Sequence, residues 1–588
     1  MYICDQHPQP GAEDFKAGNT SYNQQRAHSS QGPAEIQPSL WHIFPLLTTD
    51  SITLHDMPSG PSMAYLAASP PPPPLPSPFP HLHSNAATIP STTDPFTITT
   101  TTGFLPCRPP MRRLPAQFDA MSNILDDMPI VKDDGSPGLL ARYQLGPVID
   151  SGALPDLTSH MDDLRVDVDD STEKQYNLEA ITALFRDYSF LASAYLLEPC
   201  WESWSKNNSA GYGLGRAVLP RCIAAPLVKA ADILDVPPYM SYAASYALYN
   251  YSLVNPNLGT GVYENLRLIR AFEHGLDPKS SEAGFVLTHI HMVQETGPLI
   301  QGATELLATI DKTPQDIRAA ISAFQTMLAA MKRIEEHMEQ MWTHSLPKDY
   351  ISYRTFIFGI TSQSMFPNGV VYQGTRYGDS KPLFFRGESG ANDSIIPLLD
   401  HLLEIPMPSN PLSDILRDFR QYRPKPHREF LAWVMSKSAE VGVRKYCTGG
   451  RNVATSTAGS SPHDRCESDT ESMLLSVMYL KLLEHVRSFR WRHWLFAREY
   501  IIKRTPHPTA TGGSPIITWL PNQLFAVMDL MESVYRDSGL KRMVEEGNVH
   551  RRPEVKIVQE LMENALMQRE RLEKEIKKFC SEREPRPA

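Results

Sequence analysis

From about residue 177 onward, apolar residues recur at spacings of three and four, the period of helices that bury one face. The stretch LEAITALFRDYSFLASAYLL carries this period at length, and LVKAADIL repeats it up to the break at Pro237-Pro238. Residues 242–251, rich in aromatics and alanine, also fit a helix. Residues 313–341 predict a long helix with Thr313 as N-cap, Pro314 at the first helical position and Asp316 in the first turn. Residues 412–419, 430–434 and 472–503 continue the pattern, and residues 553–580 close it with a charged amphipathic helix. Alternating Val/Ile/Thr with hairpin turns is nearly absent. The expected fold class is therefore all-α, with a smaller helical region at 121–277 and a larger one at 278–580. The polar, glycine- and serine-rich stretch 447–469 reads as a mobile surface loop.

One helix breaks its own pattern. Leu483, Val486, Arg490, His493, Ala497 and Tyr500 share a face that should be buried and apolar. Its middle holds an arginine and a histidine one turn apart. Buried without partners, such groups cost several kcal/mol, roughly. A bound haem would satisfy both, the iron taking the imidazole and a propionate the guanidinium. The alternative is a core histidine bonded to a carbonyl beside an arginine that snorkels to the surface.

Composition bounds the rest. Residues 1–110 of the 588-residue chain are rich in Pro, Ser, Thr and His, with a proline run at 70–74 and a threonine run at 99–102. Residues 1–120 are expected to be a disordered extension, since such a composition buries too little to offset chain entropy. Met121 opens a more ordinary sequence, which leaves the extension open to being a gene-model artefact. The net charge of −10 is spread along the chain without a basic stripe, so no nucleic-acid partner is expected. No apolar run reaches membrane-spanning length, and no signal-peptide layout opens the chain. Seven scattered cysteines without zinc spacing point to a reducing compartment, hence the cytoplasm.

Several separated segments form a larger pattern. His493 is followed by Tyr500-Ile501, then by Ala510-Thr511-Gly512-Gly513-Ser514-Pro515 and Trp519-Leu520-Pro521-Asn522-Gln523-Leu524. Upstream stand Phe384-Phe385-Arg386-Gly387-Glu388-Ser389-Gly390-Ala391-Asn392-Asp393-Ser394, Asp349-Tyr350-Ile351-Ser352-Tyr353-Arg354 and Gly284-Phe285-Val286-Leu287-Thr288-His289. Weaker segments are Tyr242 to Ser245 and His427-Arg428-Glu429-Phe430-Leu431, the latter read as a helix start with a buried Phe430. Over residues 121–545 this order resembles the indoleamine 2,3-dioxygenase family, particularly its fungal members.

The resemblance implies haem b held by His493 as the iron ligand, with Arg490 and Asp400 paired at a propionate. The Gly387, Gly390 and Ala391 loop would pass over the macrocycle, its small residues leaving room for it. It further implies Arg354 on the substrate carboxylate and Phe285, Tyr242, Ser245, Ser389 and Thr511 around the substrate. His289, where mammalian members carry serine, would bond to the indole N–H or to bound oxygen. The family keeps a phenylalanine five residues before the arginine, whereas this chain has Asp349 there. Either Tyr350 takes the aromatic role, or substrate affinity is poor, or the register shifts by one. The His289-x-His291 spacing does not suit a shared metal, because such residues point apart on a helix. The implied reaction cleaves the indole 2,3-bond of L-tryptophan or a related indoleamine with O2, giving N-formylkynurenine, the first step of the kynurenine pathway. A cellular reductant keeping iron ferrous is implied, and a monomer is expected. The alternatives are a haem-binding sensor of the same fold with weak turnover, and a helical scaffold whose proline run recruits SH3-type modules.

Overall fold

The computed structural model describes residues 79–583 apart from 169–172, 208–210, 276, 313–315, 408–410, 450–461, 506, 508 and 548–551. Within them the fold is all-α. The long helices are Leu178–Asn207, Ile317–Glu339, Pro462–Phe496, Ile516–Asp537 and Pro553–Arg583. Strands among the described residues are two or three residues long, such as Tyr251–Leu253 antiparallel to Leu266–Leu268. Pro462–Phe496 is the organising helix. It packs on Ile317–Glu339 and on Ile516–Asp537, with Pro553–Arg583 against both it and Ile516–Asp537. One apolar cluster runs from Phe79 to Ala565. The boundary expected near residue 277 falls within that span.

The expected extension divides in two. Residues 1–78, including the proline run, lie outside the described residues, whereas residues 79–120 are packed. Phe96, Ile98 and Phe104 are 1, 0 and 1 % exposed, and each contributes about 1.5–3 kcal/mol by leaving water. Phe79 meets the Phe430 ring edge-on at 5.3 Å, and Phe104 meets His427 at 4.9 Å. The threonine run makes its own turn, with Thr102 N–H donating to Thr99 Oγ1 at 2.8 Å. Gly103 then takes φ +62°, and a Cβ there would lie 2.0 Å from Thr296 Oγ1. These apolar residues are separated by proline and threonine without any period, so the helical signal does not reveal them.

Three local expectations also change. Residues 242–251 do not form one helix: Tyr242–Tyr246 is a single π-helical turn and the chain then enters a strand at Tyr251. Ser245 Oγ accepts from Ser241 N and donates to Ser241 O, both at 2.8 Å, and this local bonding competes with helix continuation. The long helix starts at Ile317 with Asp316 as its cap, accepting from Ala319 N at 3.1 Å, rather than with Thr313. Of the expected loop 447–469, Cys447 ends the short helix Val443–Cys447, and residues from Pro462 already belong to the organising helix. Residues 450–461 lie outside the described residues.

Candidate functional site

The organising helix presents Arg490 and His493 to a cavity of about 410 Å³, within the range of small-molecule and cofactor sites. Asp400, Gly390, Arg420 and Gln523 also line it. Arg490 does not snorkel. It is 8 % exposed, and one terminal nitrogen sits 2.9 and 2.8 Å from the two carboxylate oxygens of Asp400. Its other terminal nitrogen donates to Gln523 O at 3.2 Å. Burial of Asp400 outweighs the neighbouring guanidinium and raises its carboxyl above the ordinary value. Nor is His493 bonded to a carbonyl, as an ordinary core histidine would be. Its imidazole has no hydrogen-bond partner among the described residues. Burial first, then His289 and Arg490, push it down to about 4, so it is neutral at pH 7.

His289 lies on the helix Ser281–Val293, outside the cavity's lining but electrostatically coupled to His493. Its Nδ1 lies 2.7 Å from Phe285 O. A carbonyl only accepts, so Nδ1 carries the hydrogen and Nε2 is an acceptor. Burial lowers this pKa too, which keeps the ring neutral. Phe285 and Tyr242 pack on the His289 ring at 4.9 and 5.7 Å. His291 points elsewhere, its ring 3.7 Å from that of His337 and tilted to it by 36°. No group of three metal-ligating residues occurs among the described residues.

Arg354 ends the short helix Tyr350–Arg354 and is fully buried. Its Nη2 donates to Thr509 O at 2.9 Å, and its guanidinium lies 4.5 Å from the Phe358 ring centre. Nε and Nη1 have no hydrogen-bond partner of good geometry among the described residues, although the guanidinium acts on the neighbouring Tyr350 hydroxyl. A buried guanidinium with such donors suits a carboxylate. Tyr350 stands beside it, 5.6 Å from Phe285, while Asp349 turns away to accept from Ser281 Oγ at 2.7 Å. Tyr350 thus contacts Phe285, and the Asp349 carboxylate is taken up by Ser281 at the start of the helix Ser281–Val293.

The loop residues separate into different roles. A Cβ on Gly387 would lie 2.2 Å from Gly359 N, so Gly387 serves a backbone-to-backbone approach and leaves no room for a macrocycle. Gly390 is different: nothing lies within 4 Å of its missing Cβ, and it lines the cavity. Ala391 lies in the same turn, Gly390–Asn392, and Ser389 beside it is buried. The Ser245 hydroxyl is committed to its own turn and is not available to a ligand. Thr511 Oγ1 donates to Glu388 O at 2.6 Å and so ties the two loops together. His427 bonds Ser394 Oγ at 3.1 Å within the core.

Sequence reading passed over four groups. Gln363 holds the loop after the organising helix, donating to Ala510 O at 2.8 Å and accepting from Thr509 Oγ1 at 3.0 Å. Arg420 lines the cavity without an ion pair among the described residues, and burial lowers its pKa. Half-buried His401, also on the cavity, is pushed down to about 3 by desolvation. Glu388 is 3 % exposed, and burial pushes its carboxyl up to about 8. A lone acid inside a loop of small residues was the available signal.

The neutral, unpartnered imidazole of His493 beside a buried arginine and an open glycine turn is a donor set that suits haem. No helix among the described residues is long and apolar enough to cross a membrane.

Comparison with known proteins agrees with this arrangement. Indoleamine 2,3-dioxygenase 1 of Mus musculus is 26 % identical over 307 residues, covering 52 % of this chain and 69 % of the mouse protein. Indoleamine 2,3-dioxygenase of Saccharomyces cerevisiae is 28 % identical over 303 residues, covering 49 % of this chain and 61 % of the yeast one. A 6-hydroxytryptophan 2,3-dioxygenase of Fusarium equiseti is 23 % identical over 342 residues, covering 57 % of this chain and 72 % of that one. The pattern of the family described as Indoleamine 2,3-dioxygenase matches residues 92–520, starting well before Met121, within the packed segment. With most of its length matched by that pattern, the chain belongs to the indoleamine 2,3-dioxygenase family.

Proposed function

We propose that this protein is a haem-dependent dioxygenase that cleaves the indole 2,3-bond of L-tryptophan or a related indoleamine with O2, giving N-formylkynurenine or its substituted equivalent. The observation that carries the reading is the neutral, unpartnered imidazole of His493 on the cavity beside the Arg490–Asp400 pair, with neutral His289 electrostatically coupled to it. Haem b, when bound, supplies the activation of O2 and the oxidising chemistry. A cellular reductant that keeps its iron ferrous belongs to this reading, as does a cytoplasmic setting.

The chain's residues supply placement. His493 offers a neutral nitrogen to the iron, and the Arg490–Asp400 pair fixes the helix that carries it. Arg490 and Arg420 offer positive charge to the propionates. Arg354 takes the substrate carboxylate through Nε and Nη1, fixing the amino-acid end. Phe285 and Tyr350, in contact with each other, offer the ring an aromatic wall. His289 Nε2, an acceptor with its other nitrogen already committed, receives the indole N–H. A neutral ring with that tautomer cannot donate, so of the two roles expected for His289 the indole bond is favoured over one to oxygen. Asp349, the residue that argued for a weakened pocket, is turned to Ser281 and does not support a sensor without turnover.

The test is an absorption spectrum of purified, haem-supplied protein, reduced under carbon monoxide and then given L-tryptophan and air. A Soret band lost in His493→Ala, with formylkynurenine appearing only in the parent, supports the reading. Absence of a Soret band overturns it.

A further inference from the structure

Arg354 spends one donor on Thr509 O, at 2.9 Å. That carbonyl belongs to the loop after the organising helix, so the set of the guanidinium depends on how this loop is held. The far half of the loop is tied down through Thr511 and Gly512. Gly359 N donates to Thr511 O at 2.9 Å, and Arg386 Nη1 donates to Gly512 O at 3.1 Å. The near half, which carries Thr509, is gripped by the Gln363 side chain, 4 % exposed. Gln363 Nε2 donates to Ala510 O at 2.8 Å and to Thr511 O at 3.3 Å. Its Oε1 accepts from Thr509 Oγ1 at 3.0 Å and has His507 Nε2 at the same distance. Carbonyls only accept, so the amide nitrogen belongs on the side of Ala510 and Thr511, and a flipped amide would lose the grip.

The turn that presents Gln363 is strained. Ser362 takes φ +58°, a left-handed conformation that is costly for a serine. The loop closes on this same turn, since a Cβ on Gly513 would lie 2.5 Å from Thr361 O. Strain of this kind persists where the surrounding contacts over-determine it, and it gathers at functional sites. Residues 359–363 and 509–513 are therefore built as two interlocked pieces, with Arg354 bonded to one and five residues before the other.

We propose that Gln363 is a positioning residue for the substrate carboxylate: its amide fixes the Thr509 carbonyl, and that carbonyl sets the Arg354 guanidinium so that Nε and Nη1 are left to the carboxylate. This rests on the dioxygenase reading. Gln363 acts only through Arg354, so a substrate without a carboxylate should not feel its loss. The test measures kcat, KM and Kd for L-tryptophan and tryptamine in the haem-loaded parent, Gln363→Leu, Arg354→Gln and the double variant, each normalised to haem content. Kd is read from the spectral shift of the ferrous, carbon-monoxide-bound protein. Gln363→Leu, which keeps most of the side chain's size and removes the amide, should raise KM and Kd for L-tryptophan about tenfold, as a misdirected contact does. The values for tryptamine should stay within about twofold. In the Arg354→Gln background the same change should cost less than about twofold more, because the group it sets is gone. Thr509→Val, which keeps the carbonyl and removes one donor to the amide, should shift L-tryptophan in the same direction by less, and it carries the comparison if Gln363→Leu does not fold. Equal losses for both substrates, full additivity with Arg354→Gln, or no change overturns the proposal while leaving the dioxygenase standing. A haem-loaded parent that neither binds nor turns over L-tryptophan overturns both.

Discussion

Arg490 and Asp400 form a partly buried ion pair across ninety residues of chain, with one guanidinium nitrogen 2.9 and 2.8 Å from the two carboxylate oxygens. Removing one partner leaves the other charge uncompensated, at up to about 3–5 kcal/mol. Asp400→Asn or Arg490→Leu should each lower the stability of the haem-free protein by an amount of that order and weaken haem retention. Because the stranded charge is the main cost, the double variant should lose clearly less than the sum. Denaturant unfolding of the four proteins reads this coupling, and strict additivity would show that the pair does not act as a unit.

His493 makes no bond that the haem-free fold depends on. His493→Ala should therefore abolish the Soret band while shifting haem-free stability by only about 1 kcal/mol, the scale of a small core truncation. Imidazole added to His493→Gly should restore haem absorbance. A large loss of stability without haem would instead mark His493 as a structural residue.

Arg354 separates substrates by their carboxylate. Arg354→Gln should cost roughly 100-fold in kcat/KM for L-tryptophan, about 2–3 kcal/mol, as a charged hydrogen bond does. Tryptamine, which has no carboxylate, should respond by less than about threefold in either protein. Equal losses for both substrates would rule out a carboxylate contact.

Tyr350 and Asp349 are adjacent, but only one faces the pocket. Tyr350→Ala should raise KM for L-tryptophan about tenfold, in line with a lost aromatic wall. Asp349→Ala should change it by less than about twofold, since its carboxylate bonds Ser281. The opposite ranking in steady-state kinetics would place the aspartate at the ring.

Stability should depend on pH through Glu282, which is fully buried behind His289's helix start. Burial, reinforced by Glu273, raises its carboxyl from 4.5 to about 8. The folded protein thus binds its proton more tightly than the unfolded chain. The resulting stability is complete below the unfolded value and is lost as pH rises through about 8. Glu273 acts in the same direction, at about 7. Glu282→Gln fixes the neutral form, so the parent's Tm should fall relative to the variant's between about pH 5 and about pH 8.5. Parallel Tm curves would refute it.

The helices were legible because their apolar period is long and regular, and Arg490 and His493 were legible because they violate it. Arg354 and His289 carry no such mark. An arginine at the end of a short helix reads as surface, and only the resemblance to a family singled it out. Gly387 was misread because a glycine that admits a neighbouring backbone looks in sequence like one that admits a ligand. Ser245 was misread because its partner is its own turn. Glu388 was passed over because a lone acid among small residues, the one signal it gave, also reads as solvated until three dimensions bury it. Residues 79–120 were lost for a similar reason: their burial comes from distant helices, and nothing in their own spacing announces it.

That packed segment bears on how the protein can be made. Phe79 and Phe104 wedge against Phe430 and His427 on the helix Lys425–Val441, and the same helix sends Met435 and Ala439 to the cavity wall. A recombinant polypeptide begun at Met121 would contain every residue assigned to the pocket and lack the brace behind one of its walls. Its yield of pigmented protein, rather than its sequence at the iron, would record the difference, and an expression start upstream of Phe79 is the one that keeps the wall in place.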